Sequence, residues 1–262
     1  MSRRLALRLA VALLAAAVVR GPGIAAETPS FDCATATNAR EKIVCRAPRL
    51  AAADRALAAA YRDARRFLPR DVVEALRKDQ ADFLVMLDGG FDAQIWFKGN
   101  VPDDRRRVEA DLRRVLAAEP DIVDGLRVMI DDRTAMLRGL ATDASGFVGR
   151  WRNARATLVV EPRRTGGHAV HYTDPSYGWP KYACDFDGVG HVEGDRLIVD
   201  FVEAPGPDAL PRGRLIVTRT GPILDALETT DPSKTGDDRE YWICARSPEV
   251  KGRFFAVDGE PR

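Results

Sequence analysis

The chain has 262 residues, of which 40 are Lys or Arg and 39 are Asp or Glu. Four of the basic residues are arginines within the first twenty positions, so the rest of the chain carries 36 basic and 39 acidic side chains. This weakly acidic balance provides no basic field for nucleic acid or for an anionic membrane, and it excludes nucleic-acid binding as the default interpretation.

Residues 1–26 have the parts of a secretory signal peptide. The basic stretch Met1–Arg8 precedes the small and apolar run Ala10–Val19, and Ile24-Ala25-Ala26 supplies small residues for cleavage. The apolar run is about half of the roughly 20 residues that a membrane span needs. We therefore expect an exported mature chain that starts near Glu27, resides in the periplasm and is not inserted in the membrane.

Four cysteines remain in the predicted mature chain. They are Cys33, Cys45, Cys184 and Cys244. An even number in an exported chain favours disulfides, and three pairings are available. Pairing within each half of the chain, Cys33 with Cys45 and Cys184 with Cys244, is favoured because two cysteines lie early and two lie late. The alternative is a zinc site, which would require a close Cys-x-x-Cys pair that the sequence lacks.

The composition changes character near residue 141. Before this point the chain is rich in Ala, Leu and Arg and contains helix start and stop signals, whereas Val, Thr, Tyr, Gly and Pro dominate after it. We therefore predict an α+β protein. A small helical bundle over residues 27–140 should precede an antiparallel β-barrel-like domain over residues 141–262, with residues 141–147 as an exposed linker.

The bundle is predicted to begin with two helices that have clear local signals. Asn38 and Glu41 have the spacing of a capping box, so a short helix should run to about Cys45. Pro48 suits the first turn of a second helix, in which apolar residues recur every three or four positions until Pro69.

Three further helices complete the predicted bundle. Asp71 and Glu74 are expected to cap a third helix, which Gly89-Gly90 should end. Prolines followed by acidic residues indicate two more helices, over Pro102–Leu116 and Pro120–Leu140.

Several residues of the first half match a known family in order and spacing. They are Asp32, Cys33, Glu41, Cys45, Leu50, Asp54, Leu57, Tyr61 and Gln80. This set resembles the N-terminal domain of the LprI-type lysozyme inhibitor family over about residues 30–90. The resemblance implies a helical envelope domain that is associated, in at least one member of the family, with inhibition of lysozyme.

The same motif residues also have a structural interpretation. Leu50, Leu57 and Tyr61 lie on the apolar stripe of the second helix, so we expect them in the core. A carboxylate at Asp54, one turn from two of these residues, needs a polar partner if it is buried. We expect Gln80 or Tyr61 to supply that partner inside the bundle.

Short β-prone runs separated by turn residues fill the second half. The predicted strands are Phe147–Arg152, Arg155–Glu161, His168–Thr173, Lys181–Phe186, Arg196–Val202, Arg214–Arg219, Ile223–Glu228, Glu240–Cys244 and Arg253–Val257. Turns are expected at sites that include 164–167 and Asp187-Gly188. Eight or nine strands in about 115 residues indicate a small barrel or a tightly curled meander.

The first predicted strand contains the sequence Gly149-Arg150-Trp151. A Gly-x-Trp at this place resembles the opening of lipocalin-like and fatty-acid-binding barrels, and it implies a cavity for a small apolar ligand or an oligosaccharide. Such a cavity would be lined by Trp179, Tyr182 and Trp242. The alternative, which we favour, is that Trp151 plugs one end of a filled barrel, because small barrels are usually packed with side chains.

Catalytic constellations are not evident, so we predict that the protein is not an enzyme and holds no metal or cofactor. His168 and His171 are three residues apart on a predicted strand and should point to opposite faces, so they do not suit one metal ion. Asp185 and Asp187 share a face, but spacing places no second carboxylate pair beside them.

Two functions remain as hypotheses. The first is a secreted protein that binds a lysozyme and inhibits it, and the second is a barrel that carries or senses a small ligand with the helical domain as a docking module. Residues 141–262 contain 19 acidic and 16 basic side chains, so attraction to a basic lysozyme should come mainly from the β domain. The predicted partner-binding residues are Asp231, Asp237, Asp238 and Glu240.

Overall fold

The computed structural model describes residues 28–99, 120–175, 184–202, 211–229 and 251–258. Within these ranges a helical part comes first and a closed antiparallel β-barrel follows. This α+β architecture confirms the fold class that the sequence predicts. The described helices are α1 (Ala39–Arg46), α2 (Pro48–Phe67), α3 (Arg70–Gly99) and α4 (Pro120–Arg138).

The first two helices begin where local sequence signals place them. The side chain of Asn38 accepts a hydrogen bond from the N–H of Glu41, and the Glu41 carboxylate accepts one from the N–H of Asn38, which completes the capping box. Pro48 occupies the first turn of α2, where its missing N–H removes no helical hydrogen bond. α2 ends at Phe67, shortly before Pro69.

The third helix is longer than the sequence predicts. α3 continues through Gly89-Gly90 to Gly99, so the expectation that this pair of glycines ends the helix is wrong. Each glycine lowers helix stability by about 1 kcal/mol, but neither removes a backbone N–H as proline would, and the helical hydrogen bonding therefore continues. The predicted helix Pro102–Leu116 lies outside the described residues. α4 begins at Pro120 as predicted and ends at Arg138.

Eight strands form the barrel, and each pairs antiparallel with the next along the chain. They are β1 (Gly149–Arg152), β2 (Thr157–Pro162), β3 (His168–Asp174), β4 (Cys184–Glu193), β5 (Arg196–Val202), β6 (Pro211–Thr220), β7 (Ile223–Thr229) and β8 (Lys251–Ala256). The pairing of β1 with β8 closes the barrel and leaves no open edge among these strands. The predicted strand Glu240–Cys244 lies outside the described residues.

The interior of the barrel is filled by its own side chains. Inward residues alternate along the strands, and they are Trp151, Leu158, Val160, Val170, Tyr172, Leu197, Val199, Leu215, Val217, Leu224, Ala226, Phe254 and Ala256. Trp151 is fully buried, and its indole N–H donates to the Phe147 carbonyl at 2.8 Å. The tyrosine ring of Tyr172 stacks on Phe186 with centroids 4.9 Å apart. Among the described strands, Trp151 is thus part of a packed core.

One predicted turn lies inside a strand. β4 runs without interruption through Asp187-Gly188, where the sequence indicates a turn. The register with β3 explains the difference, because His171 pairs with Asp187 and Val170 pairs with Gly188. The reversal of the chain comes later, next to Gly194, whose φ of 62° favours glycine. Long-range strand pairing has overridden a local turn signal.

The segment between the helices and the barrel is attached to the barrel, so the expectation of an exposed linker over residues 141–147 is wrong at both of its ends. Ala141 donates its N–H to the Ala256 carbonyl at 3.0 Å, and Asp258 donates to the Gly139 carbonyl at 2.7 Å. Ala141 and Phe147 are buried, while most residues between them are exposed. The physical reason is that β8 and the residues directly after it form backbone hydrogen bonds with residues 139 and 141.

The helical part also uses barrel residues to complete its core. Ala154, Ile223, Phe255 and Val257 belong to the same hydrophobic cluster as the buried side chains of the helices. The boundary near residue 140 therefore separates two kinds of secondary structure that are packed on each other. Independent folding of residues 27–140 and 141–262 stays a prediction.

The close approach at Gly139 gives a test of this junction. A Cβ at Gly139 would lie 2.8 Å from the Asp258 carbonyl oxygen and 2.9 Å from Val257 Cγ1. We expect Gly139→Ala to lower the free energy of unfolding by about 1–3 kcal/mol, as overpacking does. Gly89→Ala is the matched control, because nothing lies within 4 Å of a Cβ there, and it should stabilise the helix by about 0.5–1 kcal/mol. Urea unfolding measures both, and equal effects would contradict the tight junction.

Candidate functional site

The turn between β1 and β2 is the point at which the barrel enters the helical part. Asn153 organises this turn, since its side-chain Oδ1 accepts the N–H groups of Arg155 at 2.9 Å and Ala156 at 2.8 Å. This is the local hydrogen bonding by which asparagine stabilises turns. The turn presents the N–H of Ala154 to the helices.

The N–H of Ala154 donates a hydrogen bond to a buried ion pair. Asp79 on α3 accepts it at 2.7 Å through Oδ1, while its Oδ2 lies 2.7 Å from Nη2 of Arg133 on α4. The side chains of Asp79 and Arg133 are only 9% and 2% exposed. The contact between Oδ2 and Nη2 is a charge contact and not a well-aligned hydrogen bond. One carboxylate therefore joins α3, α4 and the β1–β2 turn.

Other side chains around Arg133 hold its guanidinium in place. Its Nε donates to Gln80 Oε1 at 3.0 Å, and its Nη1 lies 2.8 Å from the sulfur of Met136. The guanidinium carbon also stands 5.4 Å from the centroid of the Phe83 ring, which is a cation–π distance. The family-motif residue Gln80 thus contributes to the junction.

Burial raises the pKa of the Asp79 carboxyl above its usual range, and the Arg133 charge and the Ala154 hydrogen bond oppose that rise. The folded protein therefore holds a proton on Asp79 more tightly than the unfolded chain does. For a carboxyl shifted in this direction, stability is present below the unfolded pKa and is lost as the pH rises through the folded pKa. The Arg133 charge and the Ala154 N–H favour the ionised form of Asp79.

A second ion pair crosses the junction nearer to the surface. Arg152 on β1 donates through Nη2 to Oδ2 of Asp132 on α4 at 2.5 Å. The arginine is largely buried, while the aspartate is 37% exposed. Together with the Asp79 contacts, this pair joins β1 and the β1–β2 turn to the helices.

Two clefts flank the β1–β2 turn, one on the side of each helix. The α4-side cleft has a volume of about 230 Å³, and its walls include Phe83, Met136, Arg150 and Arg152. The α3-side cleft has a volume of about 280 Å³ and lies between α3, the turn and the start of β8. Asn153 and Arg155 line both clefts. These volumes are at or below the lower end of the range for small-molecule sites.

The predicted disulfides are present where the structure describes them. Cys33 and Cys45 form a disulfide with a Cα–Cα distance of 5.8 Å, which confirms the predicted pairing. Cys184 is also disulfide-bonded and is buried in the barrel wall. Its predicted partner Cys244 lies outside the described residues.

Most of the other family-motif residues have structural roles. Asp32 caps the short 3-10 turn Cys33–Thr35 by accepting the N–H of Ala34 at 2.9 Å. Leu50 and Leu57 are buried in the helical core, as predicted. Tyr61 is partly buried against that core, and the guanidinium of Arg65 lies 5.6 Å from its ring centroid.

Asp54 has a different partner from the two that the sequence suggests. Its Oδ2 accepts the N–H of Ser30 at 2.6 Å, whereas Gln80 binds Arg133. Asp54 is partly exposed, so it holds the segment before α1 against α2 and does not form an internal contact of the bundle. Arg55 assists it by donating to the Thr28 carbonyl.

The outer face of β3 and β4 carries a cluster of polar side chains that includes the two carboxylates considered in the sequence analysis. Asp185 and Asp187 lie on one face, as predicted, and both approach His171, at 3.5 Å from Nε2 and 2.9 Å from Nδ1 respectively. The two carboxylates are 67% and 88% exposed. Among the residues that the structure describes, no group of three or more His, Cys, Asp or Glu is arranged to hold a metal ion.

Other predicted residues cannot be placed. The partner-binding set Asp231, Asp237, Asp238 and Glu240 lies outside the described ranges, as do Trp179, Tyr182 and Trp242. Conversely, the sequence interpretation missed the central residues Asp79 and Arg133. The sequence pattern that would have identified them is a charged residue on a helix face whose other residues are apolar and recur every three or four positions.

Comparisons with known proteins return no relatives. No protein-family profile, no curated protein sequence and no solved structure matches this chain. In the helices that the structure describes, no segment is long and apolar enough to cross a membrane.

A double-mutant cycle tests the buried pair. Arg133→Met leaves the Asp79 carboxylate buried without its cation, and Asp79→Asn leaves Arg133 unpaired while an amide oxygen can still accept the Ala154 N–H. Each single change should lower the free energy of unfolding by about 3–5 kcal/mol, and the double variant should cost clearly less than the sum of the two.

The exposed pair of Glu74 and Arg77, which lies on the same helix with Nη2 and Oε1 2.8 Å apart, is the control for that cycle. Its coupling energy should be close to zero because water and salt screen exposed ion pairs. Additive costs at Asp79 and Arg133 in urea unfolding would show that the two side chains stabilise the junction separately.

Proposed function

We propose that this protein is an exported, non-enzymatic envelope protein that binds a lysozyme and inhibits it. The motif from Asp32 to Gln80, which resembles the LprI-type inhibitors, supports the choice of partner. The observation that carries the proposal is the filled barrel, whose described interior is occupied by residues such as Trp151 and Phe254. A barrel whose interior is occupied by its own side chains presents its outer surface to a partner.

The proposed mode of action is occlusion of the carboxylate-lined glycan cleft of the lysozyme, without any chemical step by the inhibitor. The acidic excess of the second half would guide the approach of a basic lysozyme. The exposed carboxylates of Asp185 and Asp187 on β4 lie on this part of the surface. The predicted contacts at Asp231, Asp237, Asp238 and Glu240 belong to the same acidic half.

Inhibition assays with chicken-type, goose-type and invertebrate-type lysozymes test this proposal. The mature protein should slow peptidoglycan hydrolysis by at least one class without turning over any substrate. Its association rate should fall as salt is added, because steering by exposed charges is screened. Failure to inhibit all three classes, together with saturable binding of an apolar or sugar ligand in the barrel, would instead support a small-ligand carrier or sensor.

Charge reversal locates the contact. A variant in which Asp231, Asp237, Asp238 and Glu240 are changed to Lys should bind the lysozyme about tenfold or more weakly, mainly through slower association. The control reverses Asp71 and Glu74, which lie exposed in the first turns of α3. Surface plasmon resonance compares the two variants, and an equal loss of affinity in both would contradict a contact made by the β domain.

A further inference from the structure

We infer that the end of the α2–α3 hairpin is a docking surface for a membrane that contains anionic lipids. This surface, the hairpin tip, consists of residues 62–71, within which α2 ends at Phe67 and α3 begins at Arg70. It borders neither of the two clefts and lies outside the acidic half of the chain. The inference therefore does not depend on the proposed function.

Most side chains of the hairpin tip are open to solvent. Within residues 62–71 only Ala64 and Leu68 are buried, and they join the turn to the helical core. Phe67 is 52% exposed, although large apolar side chains are ordinarily found in a core. The tip therefore presents an exposed surface that carries an aromatic ring.

Four arginines lie within five positions of that ring in the sequence, and all four are exposed. They are Arg62, Arg65, Arg66 and Arg70. Arg66 is paired with the carboxylate of Asp63 at 3.0 Å. Among the residues that the structure describes, none forms an ion pair with any of the other three arginines.

The excess of positive charge remains after every carboxylate of the tip is counted. Asp71 is the second carboxylate within residues 62–71, and setting it against one of the three arginines leaves two positive charges. The next turn of α3 adds no net negative charge, because Glu74 pairs with Arg77 at 2.8 Å. The weakly acidic balance of the whole chain does not reveal this local excess.

Helix stability explains only part of this arrangement. Arg65 and Arg66 lie in the last turn of α2, where a positive charge interacts favourably with the helix dipole, and the Arg65 guanidinium also lies 5.6 Å from the ring centroid of Tyr61. Arg70 lies at the start of α3, where the same dipole disfavours a positive charge. Phe67 leaves half of its surface outside the core. Arg70 and Phe67 are therefore the residues whose positions indicate a partner.

A bilayer with anionic headgroups matches both features of the tip. Guanidinium groups bind lipid phosphates through charge-assisted hydrogen bonds, and an aromatic ring can enter the boundary between headgroups and acyl chains. A single exposed aromatic residue is ordinary on a protein surface, so the arginines around Phe67 decide in favour of an anionic surface. One ring and a few cations give weak and reversible attachment. The predicted export of the chain would bring the tip beside a membrane.

Vesicle sedimentation with the predicted mature chain, which starts near Glu27, tests the inference. The preceding residues are left out because their basic and apolar stretches would themselves bind anionic lipid. We expect binding to vesicles of equal parts phosphatidylglycerol and phosphatidylcholine to be about tenfold or more tighter than binding to pure phosphatidylcholine, and added salt should reduce the difference. Equal binding to both kinds of vesicle, or binding to neither, would overturn the inference.

Charge variants locate the binding at the tip. Arg62→Gln and Arg70→Gln should each weaken binding to the anionic vesicles by about fivefold, the usual contribution of one cation near such a surface. Arg127→Gln is the matched control, because it removes the same charge from a partly exposed arginine of α4 that lies between Asp124 and Asp131. The inference is wrong if Arg62→Gln/Arg70→Gln binds as tightly as this control.

Variants of Phe67 test the contact of the ring with lipid. Phe67→Ser should weaken binding to the anionic vesicles by about tenfold, while Phe67→Trp should retain it. Val128→Ser is the control, because Val128 is 53% exposed on α4, away from the tip arginines. Brominated phosphatidylcholine in the anionic vesicles should quench the emission of Phe67→Trp more than that of the unchanged protein. Equal quenching of the two proteins would contradict docking through the tip.

Thermal unfolding separates a loss of binding from a loss of structure. The arginine variants change exposed side chains, so their unfolding temperatures should stay close to that of the unchanged protein. If Phe67→Ser is destabilised, the quenching of Phe67→Trp still decides whether the ring enters the bilayer.

Discussion

The junction between helices and barrel depends on one buried carboxylate. Asp79 pairs with Arg133 of α4 and accepts the N–H of Ala154 from the β1–β2 turn, so a single side chain sets the relative position of three elements. Removing either partner would leave a charge or a polar group buried without compensation, which is among the more costly changes in a protein core. The contacts of Asp79 hold the β1–β2 turn against the helical part, and the two clefts lie on either side of this turn.

The sequence predicts well those features that depend on a few neighbouring residues. The capping box of Asn38 and Glu41 and the start of α2 at Pro48 are set by local backbone and side-chain preferences, and the number of short β-prone runs in the second half is enough to indicate a barrel. The same local rules fail at Asp187-Gly188, because pairing with β3 stabilises an extended backbone there. Whether such a dipeptide turns or extends is decided by a strand that is distant in the sequence.

The candidate site could be anticipated only in part. Asp79 and Gln80 lie on the apolar stripe of α3, one turn after Leu76 and one turn before Phe83. Arg133 lies in the same way on α4, between Ile130 and Leu137. Polar side chains at such positions are buried and therefore require polar partners. Periodicity shows that these groups need partners but does not identify them, because the register between two helices is a property of the packed structure. Asp54 illustrates the limit, since its partner Ser30 is 24 residues away in the chain.

The order of the strands separates the acidic outer face of β4 from the α3-side cleft. In an eight-stranded barrel closed by β1 and β8, the strand β4 lies on the wall opposite to that pair. The exposed carboxylates of Asp185 and Asp187 on β4 therefore face away from the α3-side cleft, which is bordered by the β1–β2 turn and by β8. The acidic face that we propose as part of the contact with a basic protein is thus separate from the junction between the helices and the barrel.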